Sequence, residues 1–205
     1  LLVRLKEHLM AGRFVSEFEM TEEELKLVKS FCFLTQKPML YIANVSEEDL
    51  FDLEANSHYV ALCEYAKSHG CKVIAICAEL EAQLSEFDPE ERKSYLDDLG
   101  ISESGLDNLI KEAYDLLGLA TFFTAGEKEV RAWTFKKGMK APQCAGVIHT
   151  DFEKGFIRAE VVSYDDLVKD GSLLNAKALG HVRQEGKEYL FKDGDVTLFK
   201  FNVTK

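Results

Sequence analysis

The sequence predicts an α/β unit with an incomplete parallel sheet, followed by a small α+β unit. Three observations carry this. Two continuously apolar runs, residues 38–43 and 73–77, flank a helical pattern, and strand–helix–strand within about 40 residues is a βαβ unit. From Thr121 onward, short strand-like segments replace the long helical patterns. Charge shifts at the same place. The first 120 residues hold 11 Lys and Arg against 24 Asp and Glu, whereas the rest hold 14 against 12. Such asymmetry suggests two units with different partners.

The elements follow in order. Leu1, Leu2, Leu5 and Leu9 fall at helical spacing, and Ala11-Gly12 stops the pattern. That helix begins without a cap, as in a fragment. Thr21 with Glu24 has the spacing of a capping box, and the helix it opens carries Leu25, Leu27 and Val28. Residues 38–43 then read as a strand buried on both faces. A helix over 59–68 closes at Gly70, and residues 73–77 form the second buried strand. Helices over 89–99 and 106–117 end before Gly100 and Gly118.

In the second part, residues 121–124 and 130–135 bracket a turn at Ala125-Gly126, and 156–161 form a further strand. Helical turns are expected at 165–168 and 174–179. Residues 189–199 read as a hairpin turning at Asp193-Gly194. The first part offers only two parallel strands. These cannot cover both faces of a sheet or remove its edges, so partner strands are expected elsewhere.

Composition narrows the function classes. The chain has 205 residues, 46% hydrophobic and 30% charged, with 3 prolines, which is a globular balance. No apolar stretch approaches the roughly 18 residues of a membrane helix, so no membrane partner is expected. The net charge of −11 argues against sequence reading of DNA by a general basic footprint. Cys32, Cys63, Cys71, Cys77 and Cys144 are odd in number and form no CxxC pair. They read as single thiols in a reducing, cytoplasmic setting rather than as disulfides or a zinc site.

The main constellation is Asn44-Val45-Ser46-Glu47, at the carboxyl end of the first apolar strand. Open α/β sheets bind ligands at that end. P-loop GTPases carry Asn-Lys-x-Asp there, and the Asp reads the guanine edge. Here Val45 and Glu47 replace the Lys and the Asp, while the Asn44 amide still matches the N6/N7 edge of adenine. The bland alternative is a helix cap after a strand, which Ser46 and Glu47 also suit.

The segment from Lys37 to Glu47 resembles the base-recognition segment of the YchF family, the Obg-like ATPases. Residues 122–126 and 129–134 resemble the opening of that family's TGS domain, as do 141–143 and 148–157. Residues 192–195 and 199–203 resemble its end. The matches are ordered and span nearly the whole chain. The resemblance implies a P-loop nucleotidase that prefers ATP to GTP, with Mg²⁺, and a C-terminal β-grasp TGS domain. Residues 1–20 would end a helical insertion, 21–119 would be the C-terminal part of the nucleotide domain, and 120–205 would be the TGS domain. Asn44, the backbone of Val45, and Glu47 would form the nucleotide site, with Cys77-Ala78-Glu79 as a short loop against the base.

A Walker A loop needs GxxxxGK[ST]. Gly186-Lys187 does not supply it: Gly180 is one residue too far away, and Glu188 stands in the Ser/Thr place. The phosphate and Mg²⁺ machinery is therefore expected upstream of Leu1. No catalytic residue or metal ligand is assigned within the chain, which alone is not expected to hydrolyse ATP. His149, Asp151 and Glu153 alternate as if on one strand face, which is not a ligand spacing. A turn with a satisfied histidine suits them better.

Residues 130–150 contain no acidic residue and carry Arg131, Lys136, Lys137 and Lys140, interleaved with Trp133 and Phe135. Basic residues beside aromatics bind RNA by phosphate contact and stacking. A solvated strand edge is the alternative. The TGS resemblance favours a ribosome or RNA partner through Arg131, Trp133, Lys136, Lys137 and Lys140. Two classes of function remain open: part of an ATPase, or a non-catalytic module that binds ribosome, RNA or protein.

Overall fold

The computed structural model describes residues 1–126 and 129–202. Val203, which closes the C-terminal resemblance, lies outside the described residues. The chain divides into two compact units, Leu1–Leu116 and Leu117–Lys205.

In the first unit, helix α1 (Leu2–Met10) and helix α2 (Glu22–Val28) bury Leu5, Val15 and Val28 in a small core. The capping box at Thr21 forms as its spacing requires. Thr21 Oγ1 accepts from the Glu24 amide, and Glu24 accepts from the Thr21 amide, both at 3.2 Å. Strand β1 (Leu40–Asn44) pairs in parallel with β2 (Lys72–Ile76). Helix α3 (Glu47–Phe51) and helix α4 (Ser57–Ser68) connect them. Helices α5 (Ala78–Leu84), α6 (Pro89–Asp98) and α7 (Gly105–Leu116) follow. Leu80 and Leu84 of α5 pack on Leu96 of α6 and on Cys77.

One expectation needs correction, and one element was missed. Strand β1 is not buried on both faces: Ile42 is 51% exposed and Asn44 is exposed. Among the described residues only β2 pairs with it, so no strand occupies its other edge. The sequence reading also missed α5, whose Leu80 and Leu84 stand four residues apart on one helical face.

In the second unit, strand β3 (Leu119–Ala125) pairs antiparallel with β4 (Val130–Lys136). Helices α8 (Ala141–Ile148) and α9 (Thr150–Lys154) lead to β5 (Phe156–Ser163). Helices α10 (Tyr164–Asp170) and α11 (Leu173–Ala178), strand β6 (Arg183–Glu185) and strand β7 (Asp195–Phe201) complete it. The sheet order is β4-β3-β7-β5-β6, and β3 and β7 are parallel. One face buries Phe122, Phe135, Phe156 and Phe199 with Ala141, Cys144 and Ala145 of α8. Phe122 is fully buried, with Phe135, Phe191 and Phe199 rings 5.4–5.9 Å away. Such a side chain contributes about 3–5 kcal/mol when measured by truncation to Ala.

The expected hairpin over 189–199 does not form. Its first arm touches Lys140 only through a single bridge at Leu190. The arm is used instead to hold the turn: the Tyr189 hydroxyl and the Lys192 amide both donate to the buried Asp195 carboxylate, at 2.8 and 3.0 Å. Gly194 takes a positive φ of 79° there, and β7 enters between β3 and β5, where both of its edges are filled. At His149, Asp151 and Glu153 the favoured reading, a turn with a satisfied histidine, fits, while the strand face does not. His149 caps α9, its Nδ1 accepting from the Asp151 amide at 3.2 Å, and the other two lie within that helix.

No helix among the described residues is long and apolar enough to cross a membrane.

Candidate nucleotide-base site

The carboxyl ends of β1 and β2 lie side by side, with Asn44 and Ile76 as register partners. The ladder continues one step further: the Val45 amide donates to the Ile76 carbonyl at 2.9 Å. Just beyond, the Ala78 amide donates to Asn44 Oδ1 at 3.1 Å. Two segments 34 residues apart are thereby joined through one side chain. An amide that accepts through Oδ1 has its orientation fixed, which leaves Nδ2 as its donor. The Val45 amide is spent on the ladder, so that residue's carbonyl is the backbone group able to serve a ligand as an acceptor.

Cys77 is 4% exposed and does not face outward. Its Sγ accepts from the Leu80 amide at 3.5 Å and caps α5. Ala78 and Glu79 are exposed in the first turn of that helix. Glu47 is half-buried at the start of α3.

Sequence reasoning offered Ser46 as a helix cap, which it is, but passed over Asp49 and Asn56, which hold the loop after β1 with it. Ser46 Oγ accepts from the Asp49 amide at 3.2 Å. The Asp49 carboxylate accepts from the Ser46 hydroxyl at 2.8 Å and from Asn56 Nδ2 at 3.1 Å. The Ser46 hydroxyl, more than any other neighbour, holds the Asp49 carboxyl below its ordinary range. The signal was present: Ser46 and Asp49 have capping-box spacing, and Asn56 caps α4.

Glu47, Glu48, Asp49 and Glu79 make this rim acidic. A rim of carboxylates opposes phosphate groups and suits a neutral ring that offers hydrogen-bonding edges.

The basic residues predicted in the second unit do not assemble on one face. Arg131, Trp133 and Phe135 alternate on the helix-covered side of β4, and the core includes Phe135. The Trp133 indole donates to Thr124 Oγ1 at 2.9 Å, and the Arg131 guanidinium lies 4.2 Å from the ring centroid. Lys136 falls on the opposite face of the same strand. Lys137 donates its amide to the Gly118 carbonyl at 2.8 Å, and Lys140 is paired with Glu188. Strand alternation and the turn after β4 thus separate residues that are adjacent in sequence.

Comparison with known proteins places the chain. The family model described as "YchF-GTPase_C: Protein of unknown function (DUF933)" matches residues 119–202. The protein of Bacillus subtilis named ribosome-binding ATPase YchF is 55% identical over 203 residues, which is 99% of this chain and 56% of that one. The protein of the same name from Mycoplasma genitalium is 52% identical over 187 residues, 90% of this chain and 51% of its own. A solved structure described as the Schizosaccharomyces pombe YchF GTPase matches with a TM-score of 0.81 at 34% identity, covering 97% of this chain and 53% of that chain. A GTP binding protein from Pyrococcus horikoshii OT3, at 18% identity and a TM-score of 0.57, shares the fold alone. The chain spans about half the length of the curated relatives it matches. On these matches, the chain belongs to the YchF family.

Proposed function

We propose that this chain supplies the base-recognition part of a nucleotide hydrolase that prefers ATP to GTP, together with a TGS domain that associates with the ribosome or RNA in the cytoplasm. The observation that carries the first half is the Ala78 amide on Asn44 Oδ1. With that oxygen engaged, Asn44 Nδ2 donates to N7, which adenine and guanine share. The Val45 carbonyl then decides between them. It accepts from the N6 amino group of adenine and meets the O6 acceptor of guanine with its own lone pairs. An acceptor facing an acceptor leaves both unsatisfied, at a cost of about 1–3 kcal/mol. Glu47 and the turn at Cys77-Ala78-Glu79 close the same edge.

Adenine therefore fits the residues present. Mg²⁺ is a different matter: the described residues offer no group of three or more His, Cys, Asp or Glu able to hold a metal ion. When bound, the metal would neutralise charge on the transferring phosphoryl group. Its ligands are proposed to belong to a Gly-rich loop region outside residues 1–205. In this reading residues 1–20 end a helical insertion, 21–119 complete the nucleotide domain, and 120–205 form the TGS domain. Relatives that carry "ribosome-binding ATPase" in their names support both halves. The free thiols support the cytoplasmic setting.

The test is a competition titration in a protein that spans the relatives' full length. ATP displacing GTP at lower concentration supports the reading, and equal or tighter GTP binding overturns it.

A further inference from the structure

The second face of the β4-β3-β7-β5-β6 sheet is covered in part. Helices α10 and α11 lie over Val162 and Val196, where Ala176, Leu167 and Val182 fill the space. Further along the strands that cover ends. There Glu160 of β5 stands opposite Leu198 of β7, and Arg158 stands opposite Lys200. Lys177 reaches in from α11, with its Nζ 3.0 Å from Glu160 Oε2, and Lys200 Nζ lies 3.9 Å from Glu160 Oε1. Gln184, the β6 partner of Glu160, is neutral. Three cations from three elements thus surround one carboxylate.

The Arg158–Lys200 pairing has a cost. Like charges directly opposite on neighbouring strands destabilise a sheet. One carboxylate offsets only part of this, and Glu160 already serves Lys177 more closely than Lys200. Its carboxyl is held below the ordinary glutamate range, first by the Lys177 hydrogen bond and also by Lys200 and Arg158, so it stays ionised and the surplus remains positive. A sheet that keeps two cations opposed on an open face has a place for an external anion.

We propose that Arg158, Lys177 and Lys200 form a phosphate-contacting surface for RNA on the open part of this sheet face. The inference rests on reading the chain as ribosome-associated, and it moves the contact away from the residues adjacent in sequence at 131–140. RNA fits better than an acidic protein segment. Protein interfaces centre on buried aromatic or aliphatic anchors, and here the centre of the patch is charged, with exposed leucines, Leu198 on β7 and Leu174 one turn before Lys177 on α11, at its margin. Phosphate neutralisation needs no such anchor.

The test uses the 205-residue chain. Binding to a fluorescent single-stranded RNA and co-sedimentation with bacterial ribosomes are followed across a salt series. Each phosphate contact contributes about −0.7 to the slope of log affinity against log salt for a single strand. The double variant Arg158→Gln/Lys200→Gln is expected to flatten the slope by about 1.4 and to weaken binding about tenfold at moderate salt. Its melting temperature should not fall, because a like-charge pair is relieved. Single Arg158→Gln and Lys177→Gln variants, each flattening the slope by about 0.7, give the same reading independently of the double change. Lys136→Gln, at the other end of the sheet, should leave the slope alone. Wild-type slopes in the Arg158, Lys177 and Lys200 variants overturn this inference while leaving ribosome association intact. Polyglutamate that competes as strongly as RNA assigns the face to acidic protein and also overturns it. A chain that binds neither RNA nor ribosomes overturns the broader reading along with this one.

Discussion

Asn44 and Ala78 are joined by a single hydrogen bond, the Ala78 amide donating to the Asn44 side-chain oxygen at 3.1 Å. This bond ties the end of β1 to the start of α5 and orients an amide whose other half is left for a ligand. It gives a variant pair with distinct outcomes. Asn44→Ala loses both the tie and the Nδ2 donor, and is expected to weaken ATP by about 1–3 kcal/mol in a protein of the relatives' full length. Asn44→Asp keeps an acceptor for Ala78 but replaces the donor. It should weaken ATP and GTP together and leave their ratio unchanged, because N7 is common to both. Calorimetric titration with each nucleotide measures the ratio.

The base itself can be varied instead of the protein. If the Val45 carbonyl selects at position 6, inosine triphosphate should bind as poorly as GTP, because both present an acceptor there. Purine riboside triphosphate, with no group at that position, should fall between ITP and ATP. Inosine triphosphate that binds as well as ATP would count against Val45 as the selecting group.

Thiol chemistry follows from burial. Burial, with the Asp195 charge as a lesser cause, pushes the Cys144 thiol up to about 12, and Cys77 is buried as a helix cap. Cys32 is exposed. Since the thiolate is the reacting species, alkylation of the native chain at mildly alkaline pH should mark Cys32 early. Cys77 and Cys144 should be marked only on unfolding. Peptide mapping after timed labelling reads the order, and early labelling of Cys144 would contradict the packing of α8.

Acid should act on the second unit through Glu160. Its folded-state pKa is depressed, first by the Lys177 hydrogen bond. A depressed carboxylate contributes stability that is fully present above its unfolded pKa. That contribution is lost as pH falls through the lower, folded value. The window therefore begins in the ordinary glutamate range and extends below it. Glu160→Gln should show a shallower loss of stability across that window than the unmodified chain, in denaturant melts at stepped pH. Parallel curves would remove Glu160 from the acid response.

The two units should differ in autonomy. Residues Leu117–Lys205 hold a five-stranded sheet around Phe122, whereas Leu1–Leu116 hold two strands with Ile42 exposed on one of them. A chain of Leu117–Lys205 is expected to melt cooperatively, and a chain of Leu1–Leu116 to melt broadly or aggregate. Differential scanning calorimetry of each decides, and a sharp transition in the first segment would show that two strands suffice.

Local signals were legible in the sequence. The capping box at Thr21, the parallel apolar runs that became β1 and β2, and the helix stops at Gly70, Gly100 and Gly118 depend on neighbours a few residues away. Their physics is short-range: side-chain caps, strand periodicity and the positive φ that glycine adopts without penalty. The Asp193-Gly194 turn was also legible, but not its consequence. A turn sets where the chain reverses, and it does not choose which strand the next segment joins. β7 found two filled edges between β3 and β5, and its pairing there outweighed a local hairpin.

The candidate base site divides along the same line. Asn44, Val45 and Glu47 stand together in the chain, and their place at a strand end follows from the apolar run before them. Which amide orientation Asn44 adopts, which backbone groups of Val45 are left over, and that Cys77 turns inward as a cap depend on the ladder to Ile76 and the contact with Ala78. Sequence by itself determined β1, β2, the capped and glycine-ended helices around them, and the segment that carries the base chemistry, because those rest on local periodicity and turn chemistry. Alternation along β4 already sets Arg131 against Trp133 and turns Lys136 the other way, whereas tertiary structure alone decided that Arg158, Lys177 and Lys200 meet around Glu160. Strand alternation sends neighbours in the chain to opposite faces, and only long-range pairing brings distant charges within reach of one another.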